Sequence, residues 1–140
     1  MLFTPKKNKK KNHRPRLKCR VYKNISYPSL LAGVLGLKAL TFGFISPKQL
    51  VAVRAVINKN IKKSGTLRFF VFPNAGLSSK PEASRMGKGK GKIESWVYRI
   101  QPGCVLCEIN TSNSLKAMKA LKKAQYKMPI PTKIITNKFK

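Results

Sequence analysis

Ile93-Glu94-Ser95-Trp96-Val97-Tyr98-Arg99-Ile100-Gln101-Pro102-Gly103-Cys104-Val105-Leu106-Cys107-Glu108-Ile109 decides how the chain is read. Ile93 to Ile100 is a strand, with Trp96, Tyr98 and Ile100 on one face. Gln101-Pro102-Gly103-Cys104 puts proline and glycine where a type II turn wants them. Val105 to Ile109 reads as the returning partner strand. With a two-residue loop, Val97 sits opposite Glu108 and Arg99 is its diagonal neighbour, so Glu108 is expected to pair with Arg99. In that register Cys104 and Cys107 point to opposite faces of one strand. A single C-x-x-C split in this way is not expected to hold zinc.

Immediately upstream lies Arg85-Met86-Gly87-Lys88-Gly89-Lys90-Gly91-Lys92. Its glycines free the backbone for positive φ and close approach to another surface. Arg85, Lys88, Lys90 and Lys92 supply cations and no carboxylate. The spacing is not that of a P-loop, which needs G-x-x-x-x-G-K-[ST]. The stretch reads as a mobile cationic loop that a phosphate backbone would order. The plain alternative is a solvated Gly/Lys linker.

Further out, the elements alternate. Leu35, Leu37 and Ala39 alternate with Gly36, Lys38 and Leu40, so one or two strands are expected between Ile25 and Ile45. Ser46-Pro47-Lys48-Gln49 is a helix start: serine can cap, proline suits the first helical position, and glutamine completes a capping box. Leu50, Val53, Ile57 and Ile61 then share one face, with Arg54, Asn58, Lys59, Lys62 and Lys63 over much of the rest. Ser64-Gly65 stops this helix. Thr66 to Phe72 is a strand, and Asn74 to Pro81 a loop. Beyond Asn110 to Ser114, which offers several N-caps, Leu115, Met118 and Leu121 form an apolar stripe with Ala117, Ala120 and Ala124 beside it. Lys116, Lys119, Lys122, Lys123 and Lys127 fill the remainder without an acid. Lys133 to Thr136 is a last short strand.

Residues 1–24 form a basic arm with ten cations, Arg14, Arg16 and Lys18 among them, and no acid. Like charges repel and little there can be buried, so the arm is expected to be flexible in the free protein. Residues 25–140 form a single domain; 42% hydrophobic content supports one core.

The net charge of +28 selects a polyanionic partner, nucleic acid before an anionic membrane. Lysines number 24 and arginines 7, which favours recognition of phosphate and shape over bidentate base reading. An enzyme is excluded by elimination. Glu82, Glu94 and Glu108 are the only carboxylates, and the lone histidine, His13, lies in the arm, so no acid–base pair or triad assembles. Cys19, Cys104 and Cys107 give no disulfide framework. The longest apolar run, Leu30 to Ile45, is interrupted by Lys38 and is too short for a bilayer span. No cofactor and no membrane partner are expected.

These residues, taken together, resemble a known family. Arg85 to Lys92, Trp96-Val97, Ile100-Gln101-Pro102-Gly103, Val105-Leu106 and Glu108 are similar to the L-sixteen family of large-subunit ribosomal proteins from bacteria and organelles. Ser46 to Ile57 resembles that family's first helix, Gly65 to Pro73 its following strand, and Lys127 to Ile130 the end of its last helix. Met1-Leu2 with Pro5-Lys6 is like its start. The chain departs from the family in its near-absence of acids, its divergent N-terminal third, and its Cys104 and Cys107.

The resemblance implies an α+β fold, two helices on a mixed or antiparallel sheet in a hammerhead-type sandwich. It implies a structural role in the large ribosomal subunit, binding rRNA below the central protuberance beside neighbouring ribosomal proteins. The loop would reach toward aminoacyl-site tRNA near the peptidyl-transferase centre. Residues expected to meet rRNA or tRNA are Arg85, Gly87, Lys88, Gly89, Lys90, Gly91 and Lys92 in the loop. Arg14, Arg16 and Lys18 join them from the arm, and Arg54, Lys59, Lys62 and Lys63 from the first helix. A generic DNA-compacting protein is the competing reading; it explains the charge but neither the defined strands nor the single Gly/Lys loop. The lysine bias, the loss of acids and a family-like start with no targeting segment ahead of it point to a mitochondrial ribosome, with bacterial cytoplasm or plastid as alternatives.

Overall fold

The computed structural model describes residues 3–5, 30, 35–61, 64–87 and 89–136. In chain order they form β1 (Leu35–Ala39), β2 (Gly43–Ile45), α1 (Pro47–Ile61), β3 (Gly65–Phe69), β4 (Ala75–Ser79), β5 (Lys92–Ile100), β6 (Val105–Thr111), α2 (Ser114–Gln125) and β7 (Thr132–Thr136). A four-stranded sheet has the order β3-β6-β1-β7, a three-stranded sheet the order β2-β5-β4, and every pairing is antiparallel. The fold is α+β, as expected, with two sheets in place of one. Among the described residues no helix is long and apolar enough to cross a membrane.

The first helix follows its sequence closely. The Ser46 amide donates to Gln49 Oε1 at 2.8 Å, and the Gln49 amide to Ser46 Oγ at 3.4 Å, so the capping box closes in both directions. Leu50, Val53, Ile57 and Ile61 are the buried residues of α1. The second helix differs. Its buried face is Ala117, Ala120, Leu121 and Ala124, while Leu115 is 72% exposed. Side-chain size explains the shift: alanines let α2 lie close to α1, and Val53, Ile57 and Ile61 pack with them in one core with Leu35, Leu37, Cys107 and Ile109. Each large side chain buried there contributes roughly 1.5–3 kcal/mol.

The expected β5–β6 hairpin does not form. β5 pairs with β2 and β4, whereas β6 pairs with β1 and β3. The turn itself exists: the Cys104 amide donates to the Gln101 carbonyl at 3.1 Å, and Gly103 has φ +87°. It is clamped to the end of β1, however. The Gly103 amide donates to the Ala39 carbonyl at 2.8 Å, and the Ala39 amide to the Cys104 carbonyl at 2.9 Å. The chain thereby passes from one sheet to the other. Val105 to Ile109 is buried without a break, the mark of an interior strand covered on both faces rather than a half-solvated hairpin arm.

Glu108 consequently finds a different cation. Its Cα partners are Gly36 and Arg68, and its Oε1 lies 3.6 Å from Arg68 Nη1; Arg99 faces Phe44 in the other sheet. Glu108 is 3% exposed, so this acid belongs to the interior. Cys107 and Cys104 divide as expected, Cys107 into the helix-side core and Cys104 against the second cluster.

That second cluster joins the two sheets through Ala39, Ile45, Leu50, Val71, Ile100, Leu106 and Ile130. Phe3 belongs to it, 8% exposed and edge-to-face on Phe69 at 5.4 Å. The start of the basic arm is thus anchored in the core; the rest of the arm lies outside the described residues.

The stretch expected to be a loop, Asn74 to Pro81, contains β4. Ala75-Gly76-Leu77-Ser78-Ser79 carries no β-branched or aromatic residue, so its propensity hides it. Pairing with β5 makes the strand, and at Gly76 the space a Cβ needs is filled by Ile93, whose Cδ1 would be 3.0 Å away.

Candidate nucleic-acid interface

The Gly/Lys stretch is held by the β4–β5 pair. Ser79 is the Cα partner of Lys92, and this last rung closes the base of a loop. At Gly91 a Cβ would overlap the Ser79 carbonyl group, its carbon only 2.7 Å away, so glycine is required there by space. Gly87 and Gly89 are required by conformation instead. Their φ values are +99° and +80°, and a Cβ on either would meet nothing within 4 Å.

Lys80 was not singled out from the sequence, yet its Nζ donates to the Gly87 carbonyl at 2.6 Å across the loop. The only hint was its position at the end of a strand that propensity conceals. The loop curls over an open concavity of about 580 Å³, lined by Lys80, Ser84, Gly87, Gly89 and Lys90 among others. Arg85, Lys90 and Lys92 are exposed on its surface, as is Met86. Glu82 and Glu94 flank it and are also exposed. The result is a cationic tip with freely accessible backbone, mounted on a two-stranded base. Such a tip can seat phosphates on ammonium groups and exposed amides.

The structure brings Arg85, Gly87, Gly89, Lys90, Gly91 and Lys92 together in this one loop. Arg54 and Lys59 are exposed on α1, in the helical layer over the four-stranded sheet rather than in the loop. Lys88, Lys62, Lys63, Arg14, Arg16 and Lys18 lie outside the described residues.

Among the described residues, Cys104 and Cys107 take no part in this surface; Cys19 lies outside them. Cys107 is fully buried, and burial pushes its thiol up to about 12, with the Leu37 backbone opposing and the Glu108 charge adding to the shift. Burial also raises the Cys104 thiol, against a hydrogen bond with Tyr98 that lowers it. Both therefore stay protonated near neutral pH, the form that neither attacks nor ligates. Among the described residues, no group of three His, Cys, Asp or Glu side chains is placed to hold a metal ion.

Comparison with known proteins gives the family of the chain. The family model for ribosomal protein L16p/L10e matches residues 4–135, a span that includes most of the basic arm, both helices and the loop. The large ribosomal subunit protein uL16c of Euglena longa is 39% identical over 135 residues, covering 96% of this chain and 98% of the relative. The uL16c protein of Cyanidium caldarium is 38% identical over 137 residues, covering 97% and 96% respectively. The chain belongs to the ribosomal protein L16p/L10e family, whose members are structural components of the ribosome rather than enzymes.

Proposed function

We propose that this structural constituent of the large ribosomal subunit binds rRNA through its basic faces, and that its Gly/Lys loop helps to position aminoacyl-site tRNA near the peptidyl-transferase centre. The observation that carries the proposal is the mounting of the loop. A tip with two positive-φ glycines and exposed Arg85, Lys90 and Lys92 stands on a β-sheet base fixed by the close contact of Gly91 with Ser79. A solvated linker needs no such base. A DNA-compacting protein needs charge alone, and family membership speaks against it.

Arg54 and Lys59 would meet rRNA from α1, with Lys62, Lys63 and the arm residues Arg14, Arg16 and Lys18 as further contacts. Residues 1–24 would act as an arm anchored at Phe3 and ordered along its length by RNA, and residues 25–140 as the single rRNA-binding domain. Recognition would run through phosphates, 2′-hydroxyls and helix shape.

For the compartment, an organellar ribosome is the reading that the relatives support. Both are uL16c, the plastid form, and they favour the plastid; nothing in them favours the mitochondrion suggested by the lysine bias.

The test is reconstitution of large subunits with the parent chain and with a Lys88→Ala/Lys90→Ala double variant. The double variant is expected to enter the subunit normally and to bind aminoacyl-site tRNA more weakly. Equal tRNA binding, or failure to enter the subunit, overturns the role given to the loop. Parent affinity for isolated rRNA should fall by orders of magnitude between low and moderate salt, as for about ten phosphate contacts. Co-sedimentation with plastid or with mitochondrial large subunits decides the compartment.

A further inference from the structure

A second cluster lies away from the loop, at the end of α2. Tyr126 is the C-cap of this helix and keeps helical backbone angles, φ −66° and ψ −13°. Its side chain therefore continues the helical surface. Lys122 and Lys123 stand four and three residues before it, and Lys119 one turn further back on the same face. All three lysines are exposed, and Tyr126 is 88% exposed. A large aromatic ring held out in water at a helix end contributes nothing to the core.

The charges around it cost the free helix. Lys122 and Lys123 suit the negative end of the helix dipole, but Lys116 in the first turn opposes the positive end, and that turn carries no acid. Lys116–Lys119, Lys119–Lys122 and Lys119–Lys123 are like charges at three- and four-residue spacing, each mildly repulsive. Lys123 is held in place by donating to Asn60 Oδ1 of α1 at 3.2 Å. A polyanion lying along α2 turns these repulsions into attractions.

We infer that Tyr126 is a stacking platform for an unpaired RNA base, with Lys119, Lys122 and Lys123 holding the phosphates on either side of that nucleotide. The ring face takes the base, and the ammonium groups take the backbone. This site is on the helical layer, whereas the Gly/Lys loop extends from the three-stranded sheet, so the two contacts are independent. The inference rests on the rRNA-binding reading above.

The experiment uses the full chain and its large-subunit rRNA transcript in a salt-series binding titration, with Tyr126→Ala, Tyr126→Phe and Lys122→Gln/Lys123→Gln variants. Tyr126→Ala is expected to weaken binding about tenfold with an unchanged salt slope, because a stack and no charge is lost. Tyr126→Phe should stay within about twofold of the parent. The double glutamine variant should lower the salt slope by about 1.5. Ultraviolet irradiation of the parent complex should cross-link the peptide that carries Tyr126 to RNA. If the parent binds and Tyr126→Ala binds equally well, the platform is refuted while the rRNA reading stands. If Tyr126→Ala binds rRNA normally but loses a neighbouring protein in the assembled subunit, the surface docks protein and the platform is again refuted. If the parent itself does not bind rRNA, both readings fall.

Discussion

Gly89 and Gly91 stand two residues apart and are glycine for different reasons, which makes them separable by experiment. At Gly89 φ is +80° and the surroundings are open. An L-alanine there costs about 1–2 kcal/mol in the left-handed region, so the productive loop conformer becomes roughly 5- to 30-fold rarer. At Gly91 the backbone is ordinary but a Cβ would overlap the Ser79 carbonyl. An alanine at this position must part the Ser79–Lys92 rung and loosen the loop at its root. The handedness of the substituent tests the conformational cause at position 89. D-alanine, placed by semisynthesis, suits positive φ and should restore Gly89; at Gly91 it is the position of an L-Cβ that Ser79 blocks. The assays are aminoacyl-site tRNA affinity in reconstituted subunits and amide exchange at Ser78, Ser79, Lys92 and Ile93. Gly89→Ala should lower tRNA affinity and leave exchange unchanged, whereas Gly91→Ala should accelerate exchange. Equal behaviour of L- and D-alanine at position 89, or unchanged protection in Gly91→Ala, would refute the reasoning.

Three further outcomes follow from other parts of the molecule. Ser46→Ala removes one arm of the capping box and should cost about 1 kcal/mol, read as a lower urea midpoint with an unchanged m-value. Cys107 keeps its proton in the fold up to about 12, whereas the ordinary thiol loses it near 9.0. Unfolding therefore releases a proton above pH 9, and stability should drop there by up to about 1.4 kcal/mol per pH unit. Below pH 9 the effect vanishes. Urea titrations of the parent and of Cys107→Ala between pH 8.5 and 10.5, about the range in which an ordinary thiol ionises, should show the steeper decline in the parent; parallel curves would contradict the burial argument. Added potassium chloride should raise the Tm of the free protein, since screening relieves self-repulsion, while it lowers rRNA affinity. A falling Tm would show that the cations are already compensated within the chain.

Local chemistry was legible in the sequence, and the routing between sheets was not. The capping box, the α1 face, the turn at Gly103 and the Gly/Lys loop each depend on residues close in sequence, and each was readable. The hairpin failed because a type II turn fixes only its own four residues; the destination of the following strand was set by Ala39, more than sixty positions away. One signal existed: Val105 to Ile109 shows no polar alternation, as an interior strand would not. β4 failed for the opposite reason, since its small residues carry no strand signal and acquire their state from β5. In α2 the expected stripe holds at Leu121 and Met118 and fails at Leu115, because close helix packing turns the face toward the alanines. At the site, the loop's residues were readable as chemistry; Lys80 was not, because its role depends on a cross-loop bond to Gly87.

The distribution of the three acids ties the fold to its partner. Glu108 is enclosed, while its partner Arg68 reaches solvent, so this ion pair stands at the edge of the core. Glu82 and Glu94 stand exposed at the flanks of the loop. Neither helix contains an acid, so every charge they present to solvent is a cation. An apolar interior in two clusters must then hold the body against its own skin. That interior explains why the cationic residues can be dedicated to an external polyanion: α1 and α2 draw their folded state from Ile57, Leu121 and the alanines between them rather than from ion pairs along their surfaces. A helix stabilised by surface Glu–Lys pairs would present alternating charge to a phosphate backbone and weaken its own contact. Moving stability inward and leaving the surface uncompensated is the arrangement that lets a small protein serve as a counterion to RNA while keeping a defined shape.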